Sequence, residues 1–388
     1  MQDPLEYRGQ HAACKVFTHE IEEEAVKQVY GFLNSPAFEG CQIRIMPDVH
    51  SGKGAVIGFT SPLTDKVIPN VIGVDIGCGV QAVHLDGVRG IDFDKFDKFL
   101  RANVPSGFSK REDAYKGLDV AYRKYVNTRY PWDNFKDGIT DLSEKCGDDA
   151  GMTWKSCGSL GGGNHFIEVD KDEDTKALWL TVHSGSRHLG LAVATYHQKK
   201  AIANMGPRGG LAWLEGDDAK EYLTDMRLAQ QFAMLSRTVM LEVLLGFFKL
   251  NLRDVEMVTS IHNFIGDDDI IRKGAISAKA DESVIIPWNM KDGVVIGKGK
   301  GNADWNNSAP HGAGRKMSRG DAKRNLDLEY FQKSMRDAHV WTSCVSKDTL
   351  DEAPGAYKSS KKVQGYIGDT VEITAVLKPV YNFKAGGD

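Results

Sequence analysis

The feature that most constrains this chain is where its glycines fall. Of 388 residues, 41 are glycine, and they gather in short strings: GVDIGCGV, GSLGGGNH, HSGSRHLG, GKGKGN and HGAGR. Clustered glycine marks tight turns and places where backbone comes close to a ligand. The same strings hold chemistry-bearing side chains. Asp75 and Cys78 lie in the first, His165 in the second, His183 in the third and His311 in the last. A chain that turns its backbone wherever it places an imidazole or a thiol is assembling one site from distant segments.

Between these strings, short apolar runs ending in glycine or polar turns predict strands near Ile45, Ile57, Leu180, Val258, Ile286 and Val295, and over VEITAVLKPVYNF. Helical spacing predicts helices over 20–33, over 92–103 and from about Ala219 to Leu250, the last with Asp217 or Asp218 as its N-cap. Strands and helices mix without a regular βαβ rhythm, and no repeat or Pro/Ser-rich linker divides the chain. The expected fold class is therefore mixed α/β (α+β), with residues 1–388 in a single compact domain around a central metal and nucleotide cleft.

Composition narrows the function. With 41% hydrophobic and 26% charged residues the chain reads as globular with a sizeable core. It has no run of about 18 apolar residues, so no membrane partner is expected. The opening MQDPLEYRGQ lacks the apolar segment of a secretory signal, and the expected location is the cytoplasm. The six cysteines are scattered and form no CxxC pair, which argues against a disulfide scaffold or zinc knuckle. A net charge of −4 confines any nucleic-acid contact to local basic patches. Neither a GxxxxGK[ST] loop nor a dinucleotide fingerprint is present.

His183 and His262 each end a strand-like run, where a side chain projects from a rigid element. With Asp75, Cys78 and His165 they offer oxygen, sulfur and nitrogen donors. That set suits a borderline transition metal such as Mn²⁺ or Zn²⁺ better than Mg²⁺, and a bridging thiolate could hold two ions. A lone His or Cys at a strand end is more often a core residue than a ligand, so residue types alone leave both readings open. His311 is followed by Gly312, Ala313 and Gly314, then by Arg315, Lys316 and Arg319. Small neighbours let a phosphate approach the imidazole, the cations would neutralise its charge, and a neutral imidazole can attack phosphorus covalently. A surface turn with a basic edge is the plainer alternative. Lys53, Arg187 and Arg272 are further candidates for an RNA or phosphate groove.

With these residues assembled, the chain closely resembles the RtcB family of RNA-splicing ligases. The resemblance rests on MPDVHSGKG (46–54), VIGVDIGCG (71–79), GSLGGGNHFIEV (158–169), HSGSR (183–187), IHN (261–263), RKGA (272–275), HGAGRKMSR (311–319), DEAPGAYK (351–358) and LKPVYNFKAG (377–386). It implies two Mn²⁺ ions (Zn²⁺ or Co²⁺ as substitutes) bridged by Cys78, one also held by Asp75 and His165, the other by His183 and His262. It implies that His311 takes GMP from GTP and that RNA ends, tRNA among them, are joined, with archease as a conceivable helper. Guanylate contacts would come from Asn164, His165, Phe166, Ile167, Glu168, His262 and Asn263, from Pro287, Trp288, Asn289 and Met290, from 311–314, from Tyr357 and from Lys384. Glu168 and Lys384 would read the guanine edge, and Asp48 and His50 would orient ligands. Where many members carry a glycine-rich turn, this chain has Trp288, which adds bulk near the guanylate. A metal-dependent RNA-end phosphoesterase that opens cyclic phosphates without ligation is the alternative chemistry.

Overall fold

The computed structural model describes residues 3–126, 131–206 and 210–385; Gly386, which ends the C-terminal string, lies outside them. The fold class is the expected mixture of helices and sheets. Its larger sheet has seven strands, all antiparallel to their neighbours, in the order Ser283–Asn289, Gly293–Gly299, Val371–Phe383, Phe166–Asp172, Leu178–Ser184, Gly79–His84 and Met257–Ile261. A six-stranded sheet runs Leu5–Arg8, Ala13–Val16, Gln42–His50, Ile57–Pro62, Ile270–Lys273 and Asn263–Ile265. A two-stranded ribbon pairs Ala275–Ser277 with Ser308–Pro310.

Two of these strands are consecutive in the chain yet belong to different sheets. Met257–Ile261 closes the seven-stranded sheet and Asn263–Ile265 edges the six-stranded one, with only His262 between them. The chain switches sheets at a candidate ligand.

The helix Gly216–Phe247 runs for about 48 Å at the usual rise per residue. Its first half buries Tyr222, Met226, Ala229 and Phe232 in one apolar cluster, and its second half buries Met240, Leu241, Leu244 and Leu245 in another with strand residues Ile167, Leu180 and Val182. The expected N-cap is corrected. The helix starts at Gly216 behind Glu215, without a side-chain cap, and Asp217 and Asp218 fall in its first turn. There they still oppose the positive end of the helix dipole. Among the described residues no helix is long and apolar enough to cross a membrane.

Candidate metal and nucleotide site

Antiparallel pairing explains how distant residues meet. His165 immediately precedes Phe166–Asp172, and His183 lies at the finish of the neighbouring strand Leu178–Ser184. Cys78 precedes the next strand, Gly79–His84, and His262 follows the last, Met257–Ile261. Strands alternate in direction, so these starts and finishes share one end of the sheet, as the pairings Phe166↔His183, Gly79↔Ser184 and Gly79↔Ile261 require. The turn 73–78 is tied to the same end by Gly77 N donating to Asn263 O (2.8 Å) and His262 N donating to Cys78 O (2.9 Å).

The side chains form two triads that share one sulfur. Cys78, His183 and His262 make one; Asp75, Cys78 and His165 make the other, and within each the donor atoms lie within 4.8 Å of one another. Cys78 Sγ is 3.2 Å from His183 Nε2 and 3.5 Å from His165 Nε2. His165 Nε2 is 3.2 Å from Asp75 Oδ2, and the Nε2 atoms of His183 and His262 are 3.3 Å apart. His183 Nδ1 lies 3.2 Å from Asn164 O, so a proton on Nδ1 leaves Nε2 as a lone pair aimed at the cluster. Burial holds His183 and His262 well below the usual imidazole pKa, and burial followed by Asp75 pushes the Cys78 thiol up. Neutral imidazoles at His183 and His262, grouped beside the Cys78 sulfur, are what a divalent cation needs. The donor set fits divalent cations, with Cys78 common to both triads.

His311 stands beside this centre, its ring centroid 4.7 Å from that of His262. His311 Nδ1 is 2.7 Å from the fully buried carboxylate of Asp48. Asp48 lies where the strand Gln42–His50 loses register with its partner between Ile45 and His50, and that irregularity aims it across the fold. Gly314 completes the fit: at φ +73°, a Cβ here would sit 2.1 Å from Asp48 O. Asp48 thus orients the candidate nucleophile rather than a metal ligand. His50, whose ring burial holds to a pKa of about 4, contacts the backbone O of Asp48 at 3.0 Å.

A cleft of about 940 Å³ opens in front of His311. Its lining brings together most of the expected nucleotide and phosphate contacts: Asn164, Phe166, Glu168, His183, Pro287–Met290, His311–Gly314, Tyr357 and Lys384, with His50, Lys53, Arg315 and Arg319. Lys384 Nζ lies 5.3 Å from the centre of the Phe166 ring and 3.2 Å from Asn164 O. Trp288 is only 3% exposed and packs in an apolar cluster with Ile286, Val295 and Ala313, so its bulk goes largely into the core.

Four expectations change. Arg272 is fully buried, bidentate to Asp268 at 2.8 and 2.9 Å and bonded to Ser308, so it cannot face an RNA groove. The Ile167 side chain points into the core instead of the cleft, because pleating alternates it with Phe166 and Glu168. Asn263 is buried between Asp75 O and Gly274 N, each at 3.0 Å, and braces the ligand turn. Arg187, at φ +57°, donates to Ser159 Oγ and Gly107 O and lines a smaller neighbouring cleft.

Sequence reasoning missed three residues. Glu352 is 2% exposed and gathers Lys384 (2.8 Å), Arg315 (3.2 Å), Arg319 (3.1 Å) and the Tyr357 hydroxyl (2.5 Å). Burial opposes its ionisation, yet Lys384, Arg319 and Arg315 hold its pKa down at about 2. Asn382 donates to Glu168, whose pKa burial and the neighbouring Asp170 push well above the carboxylate range. Arg237, fully buried, donates to Gly77 O (2.8 Å) and Ser184 O (2.6 Å), the residues next to Cys78 and His183. For Glu352 the string DEAPGAYK was the available signal; Arg237 had none.

A family model described as tRNA-splicing ligase RtcB matches residues 32–385. The chain belongs to the RtcB family. RNA-splicing ligase RtcB of Escherichia coli K12 is 31% identical, the match covering 96% of this chain and 97% of the relative. The tRNA-splicing ligase RtcB proteins of Thermococcus kodakarensis and Nanoarchaeum equitans are each 26% identical, over 87% and 82% of this chain and 86% and 82% of their own lengths. The chain is therefore an enzyme of an RNA-ligase family, and its converging His, Cys and Asp side chains accord with the metal dependence that RtcB membership implies.

Proposed function

We propose that this chain joins RNA ends bearing a 3′-phosphate or 2′,3′-cyclic phosphate to 5′-hydroxyl ends, using GTP and two Mn²⁺ ions, through a guanylylated His311. The observation that carries this reading is the Asp48–His311 pair beside two triads sharing Cys78. A proton held on Nδ1 by the Asp48 carboxylate leaves Nε2 with a free lone pair. That nitrogen attacks the α-phosphorus of GTP, a P–N bond forms, and the P–O bond to pyrophosphate breaks. Asp48 then stabilises the positive charge that develops on the ring.

An oxygen of the RNA 3′-phosphate next attacks the guanylyl phosphorus, breaking the P–N bond and returning the lone pair to His311. A 5′-hydroxyl finally attacks the activated 3′-phosphate, loses its proton and displaces GMP. A cyclic phosphate is first opened by water. Divalent ions held by Asp75, Cys78, His165, His183 and His262 would polarise phosphoryl oxygens and lower the pKa of bound water. Arg315, Arg319 and Lys384 line the cleft where the phosphates would lie, and Glu168 and Lys384 would meet the guanine edge.

A metal-dependent phosphoesterase, attacking with metal-bound water, would need no nucleophilic imidazole oriented by a buried carboxylate, so the pair favours ligation. The test is incubation with α-labelled GTP and Mn²⁺. Acid-labile covalent label on the wild type and none on His311→Ala is expected. Undiminished labelling of that variant would overturn the assignment.

A further inference from the structure

Beside the large cleft lies a second one of about 530 Å³, and the two share Asn164, Arg319 and Glu352 in their linings. Asp75 and His165 line it as well and His311 does not, so whatever enters meets the Asp75–Cys78–His165 triad. Its wall is unusual for a nucleic-acid site. Phe108 is 82% exposed, and Val74 and Leu191 are each 41% exposed; all three line this cleft.

An aromatic ring left this open is ordinarily found on a loose loop, but here the loop is fastened. Leu160 N donates to Pro105 O (2.8 Å), Gly107 N to Gly161 O (2.9 Å), and Arg187 Nη2 to Gly107 O (3.1 Å). The backbone just before Phe108 is thus bound to the 158–165 segment that contains His165, and after it Arg111 N donates to Lys155 O (3.0 Å) and Arg111 Nη2 to Gly158 O (3.0 Å). Rigid scaffolding of an exposed apolar ring beside a reaction centre indicates a ligand face for that ring.

Charge identifies the ligand's contribution. The cations on the lining are Arg187, Arg319 and Lys323. Arg319 is 2.9 Å from Asp351 and 3.1 Å from Glu352, Lys323 is 3.6 Å from Asp351, and Asp348 faces the same space. On a chain of net charge −4, little cationic charge is left over for a phosphate backbone, the usual source of RNA affinity. A fixed exposed aromatic ring offers affinity of another kind, by stacking on an unpaired base.

We infer that Phe108 is a stacking platform for an unpaired base next to the reacting RNA end, and that the second cleft seats this part of the strand. The inference rests on the ligase reading for its substrate class, but binding without turnover tests it separately. The probe is a single-stranded RNA with a 3′-phosphate and 2-aminopurine as its terminal or penultimate base. Its fluorescence is quenched by stacking. Phe108→Ala is expected to abolish the quench and weaken binding about tenfold, while Phe108→Trp retains both and Phe108→Leu does not. Guanylylation of His311 should be unchanged in all three.

Equal quenching and affinity in Phe108→Ala would overturn the inference, as would Leu serving as well as Trp. It would also fall if the Ala variant lost only association with another protein. Absence of GTP labelling in the wild type would sink the ligase reading and leave the quenching result to decide the platform.

Discussion

At the scale of single residues, the site depends on side chains that have no room to be replaced. Gly185 follows His183 by two positions, and a Cβ there would lie 1.8 Å from Asp75 Oδ1. No L side chain fits unless the carboxylate moves. Gly185→Ala is therefore expected to fold, since the added atom is one methyl, yet to displace Asp75 from the triad it shares with Cys78 and His165. Metal analysis is expected to find two bound Mn²⁺ per wild-type chain and one in the purified variant. Two ions in the variant would show that Asp75 is not a ligand. This dependence was half visible in the sequence. The glycine strings marked where backbone crowds a ligand, but they could not say that Gly185 makes space for Asp75, a residue 110 positions earlier.

At the scale of elements, Glu352 shows how one buried charge couples several segments. It lies in the short 3₁₀ turn Leu350–Glu352 and holds Arg315 after the His311 turn, Arg319 at the start of the helix Arg319–Asn325, and Lys384 just past the strand Val371–Phe383. Its pKa in the folded protein is about 2, below the 4.5 of a free glutamate. A depressed carboxylate stabilises the fold above its unfolded pKa, and that contribution disappears as pH falls toward the folded value. Wild-type thermal stability should accordingly drop between about pH 4.5 and pH 2. Glu352→Gln should show a shallower drop there and cost about 3–5 kcal/mol at neutral pH, because three cations lose their partner. Melting curves across this range check it, and identical slopes for both proteins would refute the linkage.

Elements also differ in how readable they were. The strands around Ile45, Leu180 and Ile286 were legible because short apolar runs with turn residues on either side have few other uses. The helix Arg187–Met205 was not. Its exposed face, His188, Leu191, Thr195, Lys199 and Ile202, includes two large apolar residues, while its buried face includes Gly190 and His197, so the apolar pattern does not mark which side is wet. Arg237 was hidden for a related reason: in sequence, an arginine in a long helix is indistinguishable from a solvated one, and only the fold brings it beneath the ligand turns.

At the scale of the whole molecule, the candidate metal centre sits where the three sheets meet. His262 joins a strand of the seven-stranded sheet to a strand of the six-stranded one, Asp48 comes from the six-stranded sheet, and His311 follows the strand Ser308–Pro310 of the ribbon. None of this was legible beforehand, because strand order depends on pairings between residues hundreds of positions apart. It has a thermodynamic consequence. Ions bound by Asp75, Cys78, His165, His183 and His262 would tie together segments from 75 to 262, and the unfolded chain offers no such site. At free Mn²⁺ about a hundredfold above each site's dissociation constant, linkage adds roughly 2.7 kcal/mol per ion, or about 5.4 kcal/mol for two. For a chain of this length that is a rise in Tm of roughly 7 °C. Chelation should lower the wild-type Tm by this amount and added Mn²⁺ should restore it. Cys78→Ala, lacking the shared sulfur, should melt at the same temperature with or without metal. If the wild type melts identically in chelator and in Mn²⁺, the five side chains do not act together on an ion, and the two triads are core packing.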